Sequence, residues 1–214
     1  DRHRVAWNIS QFLHGEQGAL LVASQLVSCA PTFNAKMYAA SQTFDEARHV
    51  EGFNRYLKEK IGFQYPATKG LKSLMDKILT DERWDLKFIG MQIIIEGLAL
   101  AAFNNMKFIL NDGLLKQLLH YVIRDEARHV TFGVNYLEDY LKTLSKSEIE
   151  ERAEFAFEAC LVMRGRLISG EVVAKFLDYT PEEADRIAFE SDQGQNFRTL
   201  LFTKIVPNLK RIGL

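Results

Sequence analysis

The hexapeptide Asp-Glu-Ala-Arg-His-Val occurs twice in this chain, at residues 45 to 50 and 125 to 130, and a glutamate stands thirty residues before the glutamate of each copy. Glu16 precedes Glu46 and His49, and Glu96 precedes Glu126 and His129, so the second set repeats the first at an offset of eighty. A Glu and a His three residues apart on a helix share one face and can reach a common ion. One copy alone would read as a solvated helix face. Two copies with matching upstream glutamates supply four carboxylates and two imidazoles, a donor set suited to two hard divalent cations. Glu16 sits among Gly15, Ala19, Leu20 and Ala23, and Glu96 among Ile93, Ile94, Ile95, Ala99 and Leu100, so both carboxylates fall on apolar faces. Burying four ionised carboxylates together is costly unless counter-charge arrives, and two divalent cations would neutralise them.

Helices must carry these residues to one place. The midpoint between Glu16 and Glu46 is Pro31, and that between Glu96 and Glu126 is Asn111 in Asn111-Asp112-Gly113, both with turn chemistry. Two antiparallel helical hairpins would then return each Glu-x-x-His to the level of its upstream glutamate, since about fifteen residues up at ~1.5 Å each are matched by about fifteen down. The pattern predicts helices over about 5–29, 33–61, 71–79, 82–110 and 113–144, with Gly62 to Gly70 as the break after the second. Ser145-Lys-Ser-Glu148 and Thr180-Pro-Glu-Glu183 read as capping boxes that open a fifth long helix over 146–178 and shorter helices over 181–214. No alternating strand pattern of useful length is present, so the expected fold class is all-α.

Over residues 8 to 142 the chain resembles the ferritin-like di-iron or di-manganese carboxylate proteins, whose signature is one Glu from each of two helices and a Glu-x-x-His from each of the other two. The resemblance implies a ferritin-like four-helix bundle, with a long crossover between its second and third helices. It implies one domain over 1–214, with the metal-binding core at about 5–144 and a helical extension at about 145–214. The expected ligands are Glu16, Glu46, His49, Glu96, Glu126 and His129. Carboxylates with imidazoles and no thiolate suit iron first, with Mn/Fe or Mn/Mn as the other loadings, and argue against structural zinc.

Metal-bound histidines usually donate their second ring nitrogen to a carboxylate. Crossed pairs are expected, Asp45 with His129 and Asp125 with His49, with Arg48 and Arg128 either holding those aspartates or forming surface ion pairs. Helical phase excludes His14 and His120 from the metals, and His3 is expected at the surface. Ala19, Ala23, Gln42, Ala99, Phe103 and Val122 lie one turn from ligands and could line a substrate pocket or simply pack closely.

Composition narrows the classes. At 214 residues and 47% hydrophobic the chain can build one packed core, and a net charge of -1 with mixed signs supports neither a nucleic-acid partner nor a polybasic membrane patch. Cys29 and Cys160 are isolated, read as buried apolar fillers, and fit a reducing cytoplasm. The apolar stretch near Ile93 to Phe103 is interrupted by Glu96 and reads as too short to span a bilayer. No signal peptide is evident, and the chain opens at Asp1 close to the first ligand helix, which leaves room for a preceding segment.

Within the superfamily, several position-specific marks are missing. Phe53 stands where a radical-storing small subunit of ribonucleotide reductase has its tyrosine. Ala19 and Met91 stand where related ligand-binding oxidases carry a Val-Tyr crosslink. Val122 replaces the third histidine of arylamine oxygenases, and Leu100 the threonine of bacterial hydrocarbon monooxygenases. The resemblance that remains is to ligand-binding oxidases, aldehyde-deformylating oxygenases and acyl desaturases. It implies a non-haem di-metal oxidoreductase that activates O2 on a small apolar, acyl-chain-like substrate, served by an electron donor protein, with a homodimer as the commonest closed assembly. The second reading is an iron-oxidising or peroxide-removing protein without organic substrate, to which the acidic stripe Glu150, Glu151, Glu154 and Glu158 would be relevant. The third is a metal-stabilised scaffold without turnover.

Overall fold

The computed structural model describes residues 2–164, 170, 174 and 178–214, and among these there is no strand. Helix α1 (Arg2–Cys29) buries Ala6, Ile9, Leu13, Glu16, Ala19, Val22 and Leu26 at three- and four-residue spacing, which marks one continuous inner face. The chain reverses through Ala30 and Pro31, and Thr32 opens α2 (Phe33–Tyr56) by accepting the Ala35 amide at 3.3 Å. A wider π-helical turn, Leu57–Ile61, extends α2 until Gly62 ends it at φ 81°, a left-handed conformation that glycine adopts without strain.

The segment 62–68 is strapped along α1. The Tyr65 amide donates to Ser10 Oγ at 2.9 Å, the Thr68 amide to Gln11 Oε1 at 2.9 Å, and Gln11 Nε2 to the Pro66 carbonyl at 2.9 Å. Thr68 then caps α3 (Lys69–Thr80). The C-terminal carbonyls of α3 at Ile78 and Leu79 accept from the buried Lys87 ammonium at 2.9 and 3.0 Å, and Gln25 Oε1 accepts from it at 2.7 Å. Burial lowers the Lys87 pKa from its ordinary value.

The third long helix is continuous from Trp84 to Ile109 but changes winding within it: α4 (Trp84–Phe88), a π-helical segment Ile89–Ile95, and α5 (Glu96–Ile109). At 26 residues it is long and apolar enough to cross a membrane, which corrects the expectation that this stretch is too short. Its most apolar window is 89% buried inside the protein, so the apolar character is that of a core helix. Helix α6 (Gly113–Leu141) follows, with Asp112 accepting the Leu115 amide at 2.8 Å. The two hairpins, α1 with α2 and α4–α5 with α6, form the ferritin-like four-helix bundle, and α2 packs against α6.

Ser145 and Glu148 make both capping-box bonds at the start of α7 (Lys146–Arg164). The expected continuation of that helix to 178 lies largely outside the described residues. A full capping box at Thr180 and Glu183, with Pro181 in the first turn, opens α8 (Pro181–Glu190). The last helix, α9 (Asp192–Ile212), is 21 residues long and carries Pro207 inside it, so the tail is not made of short helices only.

The apolar interior divides in two. One cluster holds Val22, Leu26, Phe88, Ile93, Val134 and Leu137, and the other Ile9, Leu13, Phe53, Phe103, Leu115 and Leu119. The ligand residues form the polar layer between them.

Candidate metal centre

Each candidate ligand comes from within a continuous helix, where the backbone hydrogen-bond ladder fixes its position: Glu16 from α1, Glu46 and His49 from α2, Glu96 from the first turn of α5, Glu126 and His129 from α6. All six are buried, none more than 5% exposed. Their donor atoms fall in two groups, Glu16, Glu46, His49 and Glu126, and Glu46, Glu96, Glu126 and His129, with the atoms in each within 4.8 Å of one another. Glu46 and Glu126 belong to both groups, so the two motif glutamates are the shared members and the upstream glutamates the terminal ones.

His49 Nδ1 lies 3.3 Å from Glu16 Oε2, 3.3 Å from Glu46 Oε2 and 3.1 Å from Glu126 Oε1. One ring N–H cannot bond three carboxylates. Glu46 Oε2, Glu96 Oε2, both carboxylate oxygens of Glu126 and His129 Nδ1 are buried without a hydrogen-bond partner among the described residues. Buried polar groups left so cost about 1–3 kcal/mol each. Cations shared among these donors would satisfy them all, and the oxygen-rich donor set with two imidazoles fits a pair of divalent ions.

Without cations, protons take their place. Burial and the Glu126 carboxylate push Glu16 and Glu96 well above the usual carboxylate range. Burial alone would lower the imidazoles, but the surrounding carboxylates outweigh it, raising His129 to about 12 and His49 strongly in the same direction. Glu46 is held low because both imidazoles together outweigh its burial. These directions have one cause: the buried carboxylates raise the affinity of their neighbours for positive charge.

The outer ring nitrogens cross between motifs. His129 Nε2 lies 3.3 Å from Asp45 Oδ2, and His49 Nε2 lies 3.4 Å from Asp125 Oδ2. An Nε2–H directed at a carboxylate leaves Nδ1 with its lone pair inward. Arg48 donates to Asp125 at 3.1 Å and also bonds Asp45, while Arg128 donates to Asp45 at 3.1 Å and to Asp125 at 2.7 Å. The two exposed guanidiniums therefore tie both aspartates together.

The pocket residues separate into two sets. A cavity of about 760 Å³ between α1, α5 and α9 is lined by Ala19, Ala99 and Phe103 and reaches Glu16, Glu96 and Glu126. Ala23, Gln42 and Val122 do not line it. Ala23 and Val122 are consumed by close packing, at 0% and 1% exposure. Gln42 instead donates to Glu46 Oε1 at 3.1 Å and Glu96 Oε1 at 2.6 Å.

Two residues of this neighbourhood escaped sequence reasoning. Gln92, in the π-helical segment, donates to Gln42 Oε1 at 3.0 Å and so orients the amide that serves two glutamates. It fits because Gly133 stands opposite, where an added Cβ would meet Gln92 Cβ at 2.5 Å. Tyr38 lies edge-on to His129, ring centroids 6.4 Å apart. A signal existed for both, since Gln92 is one turn before Glu96, and Tyr38, Gln42 and Glu46 form a stripe at four-residue spacing.

The other histidines lie elsewhere. His14 meets the Tyr65 carbonyl at 2.9 Å and His120 meets Lys107 at 3.2 Å. His3 is half-buried against Phe63 and bonded to the Tyr65 hydroxyl at 2.7 Å, not exposed as expected, because the 62–68 strap covers it. Cys29 and Cys160 are free thiols at the edge of the core, only half-buried. In the acidic stripe, Glu150 pairs with Lys146, Glu151 with Arg83 and Arg152, and Glu158 with Lys77, so basic neighbours neutralise most of it.

The fold is a ferritin-like helical bundle, and its buried Glu and His residues form a candidate site for two metal ions. No protein-family model matches the sequence, and no curated protein matches it. Among solved structures, the chain is similar to a Synechococcus protein described as "Protein 19 with aldehyde deformylating oxidase activity", with a TM-score of 0.76 at 16% identity over 100% of this chain and 91% of that one. It is also similar to the R2-like ligand-binding oxidase from Sulfolobus acidocaldarius, with a TM-score of 0.64 at 17% identity over 95% of this chain and 75% of that one. CopM in its Cu(I)-bound form aligns with a TM-score of 0.54 at 18% identity over 62% of this chain and 94% of that one. At these identities the likeness is one of fold.

Proposed function

We propose that this chain is a di-metal oxidoreductase, with iron the first choice of metal and Mn/Fe or Mn/Mn the others, that activates O2 beside a small apolar, acyl-chain-like substrate. The observation that carries this reading is the cavity of about 760 Å³ that ends on Glu16, Glu96 and Glu126. Its size suits a single organic ligand. Its walls at Ala19, Leu98, Ala99, Ala102 and Phe103 offer an acyl chain contact area and no hydrogen bond. The two neighbours named above, one with aldehyde deformylating oxidase activity and one a ligand-binding oxidase, agree with this reading.

Bound metals would supply the redox chemistry. The protein's own residues do the rest. Glu46 and Glu126, common to both donor groups, would hold the ions together with Glu16, His49, Glu96 and His129. Asp45 and Asp125 keep each imidazole turned with Nδ1 inward, and the Gln92–Gln42 pair holds Oε1 of Glu46 and of Glu96. Ala19, Leu98, Ala99, Ala102 and Phe103 give the inner part of the cavity apolar walls beside Glu16 and Glu96. Electrons come from a separate donor protein, the assembly is a homodimer, and two free thiols without a disulfide fit a reducing cytoplasm.

Anaerobic loading with Fe(II) followed by exposure to air tests the reading. The expected result is two metal ions per chain and a transient optical band whose decay quickens when a long-chain aldehyde or fatty acid is present. Continuous growth of a ferric core would instead assign iron oxidation. Fewer than two ions per chain would overturn the site itself.

A further inference from the structure

Beyond the substrate cavity, the ligand layer touches a second feature that metal binding does not require. From His129 a run of aromatic rings leads away from the centre toward the surface. Tyr38 lies edge-on to His129 at 6.4 Å, and Phe132 stacks on Tyr38 at 3.7 Å with planes 10° apart. Tyr136 stacks on Phe132 at 5.5 Å and 18°, Trp84 meets Tyr136 at 5.6 Å, and Tyr140 meets Trp84 at 4.4 Å. Tyr136, Trp84 and Tyr140 are half-buried, so the outer end of the run is within reach of solvent.

The internal repeat of this chain supplies a control for packing. At the offset of eighty, Tyr38 corresponds to Leu118, Phe132 to Gly52, Tyr140 to Lys60 and Trp84 to Arg4. Leu118 and Gly52 are in contact as Tyr38 and Phe132 are, an added Cβ on Gly52 falling 2.8 Å from Leu118 Cδ1. The bundle therefore closes at that position with a leucine over a glycine. Tyr136 and its counterpart Tyr56 share a structural duty, since each hydroxyl bonds the N-cap residue of the opposite helix, Thr32 at 2.8 Å and Asp112 at 3.0 Å. Tyr38, Trp84 and Tyr140 have no such duty repeated in the other half. On the cavity side, the rings beside the ligands are Phe12, Phe53 and Phe103, which do not exchange electrons readily.

We propose that Tyr38, Tyr136, Trp84 and Tyr140, bridged by Phe132, form a one-electron relay between the protein surface and the metal centre at His129. The relay rests on the O2-activating reading, because such a centre needs electrons one at a time while its substrate occupies the opposite face. Each member gives one electron to its inner neighbour and is refilled from its outer one. A tyrosine releases its phenol proton to water as its electron leaves and takes a proton back when refilled, so the relay ends unchanged. The net transfer is one electron from an external one-electron carrier of the iron–sulfur or flavin class, which is oxidised, to the centre, which is reduced.

The experiment places a ruthenium photosensitiser on Lys142→Cys, two residues beyond Tyr140, in a background with Cys29 and Cys160 replaced by alanine. With a sacrificial cobalt(III) acceptor, flash illumination oxidises the outer end and electron paramagnetic resonance reads where the vacancy comes to rest. The expected outcome is a tyrosyl radical with the β-proton hyperfine pattern of Tyr38, a pattern that disappears in Tyr38→Phe and in the double variant Trp84→Phe/Tyr136→Phe, whose phenyl rings preserve the packing, the vacancy then resting on the outer tyrosines with a different pattern. A pattern in the double variant equal to that of the parent would overturn the relay, as would a parent pattern unaffected by Tyr38→Phe. Circular dichroism on each variant confirms that the helices are intact. No turnover is involved, so a failed relay leaves the O2 reaction to be judged by Fe(II) loading, and a failed O2 reaction leaves the radical measurement standing.

Discussion

His49 and His129, eighty residues apart in the chain, stand across the bundle from each other with ring centroids 6.3 Å apart and planes inclined by 40°. Each turns Nδ1 toward the carboxylates and Nε2 toward the aspartate of the opposite motif. The duplicated hexapeptide is thus one interlocked unit: each copy contributes its glutamate to both donor groups and its histidine to one, and its aspartate faces the imidazole of the other copy.

The shared and terminal glutamates should behave differently. Glu46 belongs to both ligand groups and Glu16 to one. Glu46→Ala is expected to abolish binding of two ions per chain, whereas Glu16→Ala should retain about one equivalent. Elemental analysis after dialysis against Fe(II) or Mn(II) reads this directly, and equal occupancy in the two variants would contradict the assignment.

Asp125→Asn and Asp45→Asn keep the shape of the side chain but remove the charge that faces His49 and His129. Metal affinity is expected to fall by about 10- to 100-fold in each. Competition with a chelator measures it, and unchanged affinity would remove the crossed pairs from the account.

Metal-free protein should lose stability as pH rises. Glu16, Glu96, His49 and His129 all have pKa values raised in the folded chain, so the folded state binds more protons than the unfolded one. That stabilisation is complete below the unfolded values and declines as pH climbs through the folded ones, which for His129 lie near 12. The Tm of the metal-free protein should therefore fall between about pH 6 and about pH 9, and the gain in Tm on adding Mn(II) should grow over the same range. A gain that shrinks with rising pH would contradict the proton-for-metal exchange.

Ala99 lines the cavity one turn from Glu96 and is only half-buried, so a larger side chain there can occupy the cavity without disturbing the ligand layer. Ala99→Trp should still bind two ions but hold a fluorescent fatty-acid probe about tenfold or more weakly, a loss of about 1.4 kcal/mol. Unaltered probe binding would place the substrate elsewhere.

Arg152 Nε donates to Asp85 Oδ2 at 2.8 Å, with both side chains nearly buried. Arg152→Ala would strand the Asp85 charge at the start of the helix that carries Gln92 and Glu96. The expected cost is about 3–5 kcal/mol, read as a lower denaturant midpoint. The double variant Arg152→Leu/Asp85→Leu should recover most of it.

Much of this protein is legible from its residues in order. The duplicated Asp-Glu-Ala-Arg-His-Val and the glutamates thirty residues upstream name the ligand set, because helical periodicity alone puts Glu and His three apart on one face. Turn chemistry at Pro31 and at Asn111-Asp112-Gly113 places the hairpins, because proline, glycine and capping side chains act on their own backbone. What tertiary structure alone decided depends on the register between helices. Glu46 and Glu126 are common to both donor groups because α2 packs on α6, and Gln42 serves the carboxylates rather than the cavity because Gln92 approaches over Gly133. The run from Tyr38 to Tyr140 draws residues from three helices, and no local pattern in the chain brings them together. Local chemistry is written in spacing, whereas contacts between faces arise only when those faces meet.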